Sequence, residues 1–462
     1  MARPRLHDER GMALIMSIGI LMVFTIVTAA AVQYSSSTGR SGRYSIASER
    51  ASSIAEAGIN DAYAILSNAS DPRSPSALPT ASASFEGGSA SWSGTINGDT
   101  WTVTSTSTVR NPSGAADLHR TIGGQIRLAV DGTGSAPAWQ YVYANYAGCT
   151  NIPNNGTVSA PFFVNGNLCL TNSAMLTSAA ITVRGTIDLS NSSSIGSSGA
   201  PIAALHTVGG CGNNGGPYSL ANCNAAHHVY ATTVDSTIAN VTKPSVDLPY
   251  WYLHGKPGPK QSCTSGSFPG GFDNNTVMDK SLSTATLLPS TAYSCVVTSG
   301  SSTLGKIVWT PGSPGTLQIS GVIFIDGDVN VGGQAIYSGR GTIYSSGRIT
   351  MSNTDYLCGA AGCNTDLWDG DANMVLFVAG ASSGAGFSAS NSAKFQGGVY
   401  AVSNITVSNS SIVEGPLIGE QLQFSNSIDA HKWPAIDFIA DGAPAPIGST
   451  KLIPISGTWS GG

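Results

Sequence analysis

The sequence Phe162-Phe163-Val164-Asn165-Gly166-Asn167-Leu168 places an apolar run before an Asn-Gly turn and then resumes with an apolar residue. Short apolar runs bounded by Gly and Asn are typical of β-strands separated by turns. The unit recurs at 181–187, 322–329, 342–349, 399–405 and 417–422. Copies with no insertion between them begin 18 to 20 residues apart. A period of this length indicates one coil of a β-solenoid.

Each coil leaves apolar surface uncovered, so its stability requires that coils stack on one another. We therefore expect a mainly β protein with a right-handed parallel β-helix over residues 140–430 and small Ser, Gly and Asn residues at its corners. The candidates for stacked Asn ladders are Asn167, Asn191, Asn404 and Asn409. Pro-rich stretches at about 235–300 predict an insertion lying over the solenoid. A large β-sandwich, which also yields short alternating strands, is the alternative fold.

The composition favours an exported protein. Of the 462 residues only 10% are charged, against roughly 25% in an average soluble domain, and 56 are Gly. Hydrophobic residues make up 41%, which is enough to build a core. The formal net charge is −5 and no basic run follows the first ten residues, so we expect no nucleic acid to be bound by the body.

A membrane-spanning helix is predicted near the N-terminus. No charged residue occurs between Gly11 and Gly39, and the apolar run 12–32 is long enough, at about 1.5 Å per residue, to cross the hydrocarbon of a bilayer. The arginines among the first ten residues hold that end in the cytoplasm, so the body lies outside the inner membrane. The alternative is a secretory signal peptide cut after the small residues Ala29 and Ala31.

The helical pattern continues beyond the apolar run. Small and apolar residues recur at four-residue steps as far as Ala62 and predict one helix over 12–67. This narrow apolar seam is expected to pack against other helices of the same kind. The run is also longer than the apolar core of a signal peptide, which favours a retained anchor.

Two motifs in this helix resemble those of a known family. Arg10-Gly11-Met12-Ala13-Leu14-Ile15 resembles the class III leader junction of type IV pilins, and Ala55-Glu56-Ala57-Gly58-Ile59 resembles the AEAG signature of PilX-type minor pilins. The resemblance implies that prepilin peptidase removes a leader, 1–11, after Gly11 and that Met12 becomes a methylated N-terminus. It also implies assembly through the helix, at Met16, Glu56, Ala57 and Gly58, with other pilin subunits and the pilus assembly machinery.

The chain departs from this family at Met16. Major pilins carry a glutamate at this fifth mature position, where it pairs with the terminal amine of a neighbouring subunit. A carboxylate inside a membrane is costly and requires such a partner. Met16 cannot form that pair, so we favour a minor subunit at the tip over a major structural one. The alternative is that the position has drifted without consequence.

Three further segments complete the predicted organisation. Residues 68–90, rich in Pro, Ser and Ala, predict a linker. Residues 91–130 predict a small antiparallel β-meander, which the pilin resemblance would place against the exposed half of the helix. Residues 431–462 are expected to form a C-terminal tail.

All eight cysteines lie beyond the predicted membrane helix, where oxidation is permitted. They allow 105 pairings. We expect disulfides between sequence neighbours because each would close a local loop: Cys149–Cys169, Cys211–Cys223, Cys263–Cys295 and Cys358–Cys363. The alternative is a metal site formed by Cys211, Cys223, His227 and His228, although the spacing matches no usual zinc pattern.

Catalytic readings are weaker. Alternation would place Asp326 and Asp328 on one strand face, as a glycosidase pair requires, but solvated turn acids are the simpler interpretation. An acidic cluster at 366–371 fits no calcium loop. We therefore expect no enzyme activity, no metal and no cofactor. Six aromatic or His residues are expected either to bind sugar or protein or to cover the core: Tyr250, Trp251, Tyr252, His254, Trp368 and Trp433.

The sequence thus predicts a minor pilin-like subunit of a type IV pilus or pseudopilus. Its helix joins the filament, and its β-helix body is displayed for assembly or adhesion at the cell surface. One alternative is a secreted or membrane-anchored β-helix enzyme acting on polysaccharide. Another is a membrane-tethered surface protein that never polymerises.

Overall fold

The computed structural model describes residues 9–69, 72, 74–97, 100–114, 116–130, 136–252, 259–265, 277–280, 282–299, 302–445, 450–455 and 460–461. Helix α1 spans Glu9–Asn68, about 90 Å at the usual rise per residue. It is followed by strands that form first a small antiparallel sheet and then a parallel β-helix. The expected long helix and parallel β-helix are therefore confirmed, and the β-sandwich alternative is excluded because successive coils pair in parallel.

The small sheet packs on the second half of α1, and together they form the head. Its first four strands are β1 (Ala81–Phe85), β2 (Gly88–Asn97), β3 (Thr100–Val109) and β4 (Leu118–Val130). Ala55, Ile59 and Ala62 of α1 pack with Trp101 and Val103 of β3 in one core. The expected linker 68–90 is therefore wrong in its second half. The small residues of β1 lack the strong apolar alternation that marks a strand.

The chain enters the solenoid in the middle of its length. The first run of coils climbs towards one end, and each strand pairs in parallel with its counterpart one coil away. Its strands are β5 (Val142–Ala144), β6 (Cys149–Ile152), β7 (Thr157–Val158), β8 (Phe162–Val164), β9 (Asn167–Leu170), β10 (Met175–Leu176), β11 (Ala180–Val183), β12 (Ile187–Leu189), β13 (Ser194–Ile195), β14 (Ile202–Thr207), β15 (Cys211–Asn213) and β16 (Ala231–Asp235).

The chain then crosses to the opposite end of the stack. The segment 236–252, which we call the outbound strap, ends in the short helix α2 (Leu248–Tyr252). Four strands follow: β17 (Pro259–Ser265), β18 (Leu282–Thr286), β19 (Tyr293–Ser299) and β20 (Ser302–Thr310). Of these, β17, β19 and β20 pair antiparallel in series, and β20 pairs antiparallel with the first strand of the second run of coils.

The second run of coils returns towards the middle. Its strands are β21 (Gly315–Ile325), β22 (Gly327–Asn330), β23 (Gln334–Ser345), β24 (Ile349–Met351), β25 (Tyr356–Cys358), β26 (Met374–Ala379), β27 (Ala385–Ala389), β28 (Lys394–Gln396), β29 (Gly398–Ala401), β30 (Asn404–Ser408), β31 (Ile412–Glu414), β32 (Leu417–Gly419), β33 (Leu422–Ser425) and β34 (Asp429–His431). The last coil meets the first one, because β32 pairs with β5 and β34 with β7, both in parallel.

The C-terminal segment is not a free tail. Residues 433–445, the return strap, lie on the solenoid. Strands β35 (Thr450–Pro454) and β36 (Ser460–Gly461) then pair antiparallel with β4 and complete the sheet of the head. The whole solenoid is thus an insertion between two neighbouring strands of one small sheet. The expected tail 431–462 is wrong because its partner strand lies more than 300 residues earlier in the chain.

Two features of the sequence hold the coils in register. The interior is a continuous apolar core built from Val, Ile, Leu, Phe and Ala side chains of every coil. At one corner the chain turns through Asn residues with φ of 50–55°, a region that Asn tolerates better than most residues. Seven such residues stack from coil to coil: Asn191, Asn172, Asn154, Asn426, Asn409, Asn391 and Asn353.

Candidate assembly helix and the body it carries

The first half of α1 is exposed along its whole length. Every residue from 12 to 46 is exposed, and Ile15 and Phe24 leave 72% and 66% of their surfaces uncovered. Helix α1 is the one helix in the described part of the chain that is long and apolar enough to cross a membrane, and an 18-residue stretch of it reaches a mean hydropathy of 2.4. A soluble monomer rarely exposes so much contiguous apolar surface. A lipid bilayer or the apolar faces of similar helices would cover it.

The polar groups of this half are compatible with an apolar surrounding. The Ser17 hydroxyl donates to the carbonyl oxygen of Leu14 over 2.9 Å, and the Thr25 hydroxyl donates to that of Leu21 over 2.9 Å. Hydroxyl groups bonded back to their own helix need no water. Met16 is 68% exposed and lies on this surface without a charge.

The predicted processing site lies at the start of α1. Gly11 and Met12 are both within the helix, whereas the leader residues 1–8 lie outside the described residues. Processing after Gly11 and methylation of Met12 therefore stay predictions from the motif.

The second half of α1 uses its apolar seam within the chain itself. Ala51, Ile54 and Ala55 are buried against the sheet, so the seam that we expected to face other helices is covered here by the head. Gly58 sits where α1 crosses β3. A Cβ at this position would clash with the hydroxyl of Ser105 and would lie 3.0 Å from the Cβ of Ala90.

The residues of the AEAG motif differ in their exposure, because they lie on different sides of α1. Gly58 is buried on the sheet, Ala57 is half-buried and Glu56 is exposed. The requirement for Gly at position 58 is explained by packing inside the head. Of the three residues, Glu56 is the one that remains fully available to a neighbouring molecule.

The head is joined to the body at the point where the chain enters and leaves the solenoid. Strand β35 pairs with β4 from Thr450↔Val130 to Pro454↔Ile126. The Tyr63 hydroxyl donates to the carbonyl oxygen of Leu452 over 3.1 Å, which ties α1 to the returning strand. Because both ends of the insertion are anchored in one sheet, the body is joined to the head by two chain segments.

Both straps lie on one outer face of the solenoid, which we call the aromatic face. Its outward side chains include Tyr143, Phe163, Phe324, Tyr344 and Tyr400, which form a second core with the straps. The outbound strap contacts successive coils as follows: Asn240 with Arg184, Val241 with Tyr143, Pro244 with Tyr400, Trp251 with Tyr344 and Tyr252 with Phe324.

The straps supply backbone acceptors to several of the polar groups that they bury. The Tyr400 hydroxyl donates to the carbonyl oxygen of Pro244 over 2.6 Å, and the Tyr344 hydroxyl donates to that of Gly442 over 2.6 Å. Burial raises the pKa of Tyr143 to about 12, so this phenol remains neutral under physiological conditions. Lys243 donates to the carbonyl oxygen of Val402, and burial lowers its pKa despite the nearby Glu420.

The aromatic residues predicted as binding groups mostly serve this packing. Trp251, Tyr252 and Trp368 are buried, and the Trp368 indole donates to the carbonyl oxygen of Asn373 over 2.8 Å. Tyr250 and Trp433 remain half-buried, and His254 lies outside the described residues. Covering the solenoid is therefore the observed role of most of this group.

All four disulfides join the expected sequence neighbours, Cys149–Cys169, Cys211–Cys223, Cys263–Cys295 and Cys358–Cys363. The first links β6 to β9 in successive coils, and the third links β17 to β19. Because Cys211 and Cys223 are bonded to each other, they are not available as thiolate ligands for the alternative metal site.

The carboxylates considered for catalysis do not share a strand face. Asp326 is buried at the corner between β21 and β22 and accepts a hydrogen bond from the backbone of Asp279 over 2.9 Å. Asp328 lies in β22 and accepts from the backbone of Arg348 over 2.7 Å. The corner ends the alternation on which the expectation depended, so that expectation is wrong.

The acidic cluster at 366–371 accepts hydrogen bonds from nearby backbone amides of the same chain. Asp369 accepts from the backbone of Asp371, and Asp371 accepts from the backbone of Asp437 in the return strap over 3.0 Å. Within the described residues, no three His, Cys, Asp or Glu side chains are grouped as a metal site requires.

The residues that join distant parts of the chain have little signature in the sequence. The Asn ladder was expected, but Asn167 and Asn404 do not belong to it. The consistent signal was an Asn followed by Ser, Asn or Thr once in each coil, as in Asn172-Ser173 and Asn409-Ser410. Arg340, which donates to the carbonyl oxygens of Gly370 and Phe438 and so fastens the return strap, carried no sequence signal.

No protein-family model matches the sequence, and no curated protein matches it. Among solved structures, the chain is similar to the competence-associated pilin ComZ from Thermus thermophilus. The TM-score is 0.40 and the sequence identity 11%, and the match covers 91% of this chain and 97% of that one. A functional assignment therefore has to come from the helix, the head and the solenoid themselves.

Proposed function

We propose that the chain is a minor subunit of a type IV pilus or pseudopilus. The observation that carries this proposal is the division of α1 into two halves. Residues 12–46 are exposed and begin with the apolar run 12–32, whereas residues 47–66 carry the packed head. A helix of this kind would be held by the membrane before assembly and by neighbouring helices afterwards.

The body is the cargo of this subunit. The solenoid is inserted into the head sheet, between β4 and β35, so it would be displayed without interrupting α1. Its disulfides suit an oxidising compartment outside the cytoplasm. We assign the body a role in adhesion or in pilus assembly, and assign it no catalytic step.

We further propose a position at the tip of the filament. Met16 offers no carboxylate to pair with the N-terminus of a further subunit. A subunit that recruits no neighbour through this pair would end a filament, whereas repeated use in a shaft would leave the pair unmade at every step.

The first experiment replaces Gly11 in cells that carry prepilin peptidase. Gly11→Leu is expected to leave the leader attached and to keep the chain out of sheared filaments. Gly19→Leu is the matched control for cleavage, because it makes the same substitution in the same helix but away from the leader junction. Normal processing and filament incorporation of the Gly11 variant would contradict the proposal.

Deletion of the peptidase separates the alternatives. An unchanged mass and unchanged surface location without the peptidase would identify a membrane-tethered protein that never polymerises. Immunogold labelling of the solenoid on intact filaments tests the tip position, for which we expect label at filament ends only.

A further inference from the structure

A pocket of about 390 Å³ lies at the foot of the aromatic face, between the chain that enters the solenoid and the chain that leaves it. The entering chain contributes Trp139 and Tyr141, and the leaving chain contributes Trp433 and Ile436. Pro161 and Ala180, from two successive coils, complete the wall. The pocket therefore exists only because the segment that enters the solenoid and the segment that leaves it lie side by side.

The aromatic walls are fixed before any ligand arrives. The Trp139 indole donates to the carbonyl oxygen of Pro444 over 2.7 Å. The Tyr141 ring meets Phe163 edge to face, with centroids 5.6 Å apart. The backbone before Trp433 is held by a hydrogen bond from the Lys432 amide to the Ser159 hydroxyl over 3.0 Å. A pocket with preset walls binds a ligand at low entropic cost.

The pocket has a few polar groups available. Among the described residues, neither the Tyr141 hydroxyl nor the Trp433 indole N–H has a hydrogen-bond partner, and the Gln140 amide also lines the pocket. Burial raises the pKa of Tyr141, so its hydroxyl remains a neutral donor and acceptor. No charged side chain of the described residues lines the pocket.

We propose that this pocket binds a neutral pyranose sugar. Such a ring has an apolar C–H face, which an aromatic ring can cover, and a rim of hydroxyls, which the tyrosine hydroxyl, the indole and the amide can bond. The absence of a lining cation disfavours uronic and sialic acids. The volume lies near the lower end of the range for small-ligand sites, about 300–1,000 Å³, which suits one or two sugar rings.

The proposal is independent of pilus assembly, because it concerns the body alone. A folded chain that binds a sugar but never enters a filament would support the pocket and contradict the assembly role. A chain that enters filaments but binds no sugar would support the assembly role and contradict the pocket. The two proposals can therefore fail separately.

The experiment uses the full chain in phospholipid nanodiscs, because glycoside detergents would compete for the pocket. The probes are the methyl β-glycosides of glucose, galactose and N-acetylglucosamine, followed by saturation-transfer-difference NMR and titration. We expect at least one to bind. Trp433→Ala removes the aromatic face on which the ring would stack, so it should weaken binding of that glycoside by about tenfold.

Three further variants define the result. Trp433→Phe should retain most of the affinity, and Tyr141→Phe, which removes only a hydroxyl, should weaken binding about threefold. Tyr218→Ala is the control, because Tyr218 is a partly exposed aromatic residue in a different loop and should leave binding unchanged. Circular dichroism checks that each variant is folded. If Trp433→Ala does not fold, the affinity of Tyr141→Phe tests the pocket instead.

Three outcomes would overturn the proposal. The first is the absence of saturation transfer to all three glycosides. The second is binding that folded Trp433→Ala and Tyr141→Phe leave undiminished. The third is binding of decaproline, used as a peptide probe, in place of the glycosides, which would identify a peptide groove.

Discussion

The side-chain amide of Asn154 donates a hydrogen bond to the side-chain oxygen of Asn426 over 3.1 Å, although 272 residues separate them in the sequence. Asn154 belongs to the first coil of the solenoid and Asn426 to the last. The same ladder continues on both sides, from Asn172 to Asn154 and from Asn426 to Asn409. The two runs of coils thus form one continuous stack. The chain therefore enters and leaves the body at neighbouring coils, and both connecting segments lead to the head.

The first prediction concerns this junction. Asn426→Gly removes two rungs of the ladder without straining the backbone, since Gly adopts positive φ readily. A hydrogen bond contributes about 1 kcal/mol net, so the variant should lose about 1–2 kcal/mol of unfolding free energy. Asn426→Ala should lose about 1 kcal/mol more, because Ala is strained at a φ of 52°. Denaturant unfolding measures both.

The control for the ladder is Asn404→Ala. Asn404 starts β30 in extended backbone, and among the described residues its side chain joins no rung. Its replacement should change stability by less than about 0.5 kcal/mol. Equal losses at positions 404 and 426 would show that the ladder does not stabilise the junction.

The second prediction concerns Gly58. Gly58→Val forces a branched side chain between α1 and β3 and should lower the unfolding free energy of the head by about 1–3 kcal/mol. Gly42→Ala is the matched change in the same helix, because a Cβ at position 42 would meet no atom within 4 Å beyond its chain neighbours and the adjacent helix backbone. It should stabilise the helix by up to about 1 kcal/mol, since Ala has the higher helix propensity. A tolerated Val at position 58 would contradict the observed contact.

The third prediction concerns the buried carboxyl of Glu414. It stacks between Gln396 and His431 of the adjacent coils and accepts a hydrogen bond from the Gln396 amide over 2.7 Å. Burial raises the pKa of this carboxyl above its usual value, although Gln396 and His431 oppose the shift. The proton is therefore held more tightly in the folded state than in the unfolded one.

The sign of the pH dependence follows from this difference. The contribution of Glu414 favours folding below the unfolded pKa of about 4.3 and is lost as the pH rises through the higher folded pKa. Glu414→Gln should therefore raise the melting temperature at pH 7 and change it little at pH 4. Glu86→Gln, at an exposed turn, is the control and should leave the melting temperature unchanged at both pH values. A lower melting temperature of the Glu414 variant at pH 7 would contradict this account.

Local patterns in the sequence predicted the local elements well. The apolar run before Val32 and the four-residue steps after it predicted α1 almost to its ends, and the strand–Gly–strand unit predicted the coils. Neighbouring cysteines predicted all four disulfides because each pair closes a short loop. These features depend on residues that are close in the chain.

The order of the coils could not be predicted in the same way. Pairing of β32 with β5, and of β35 with β4, depends on surfaces that meet only after folding. Every coil presents a similar apolar interior, so periodicity alone does not say which coils are neighbours. For the same reason, the pocket between Tyr141 and Trp433 has no signature in the sequence.

The fourth prediction compares two disulfides. In the chain-entropy model, a cross-link stabilises more when it closes a longer loop. Cys263 and Cys295 are 32 residues apart, and Cys358 and Cys363 only 5. Removing the first pair by double Ala substitution should cost about 4 kcal/mol, and removing the second about 2 kcal/mol. A larger loss from the 358–363 pair, measured by denaturant unfolding, would contradict the prediction.

The measurement that tests the central claim most directly is the mass of the N-terminal peptide of the mature chain isolated from the cell surface. The claim is that α1 is retained after processing and anchors the body in a filament. We predict a peptide that begins at a methylated Met12. A mature chain that begins after Val32, released without the exposed half of α1, would contradict it.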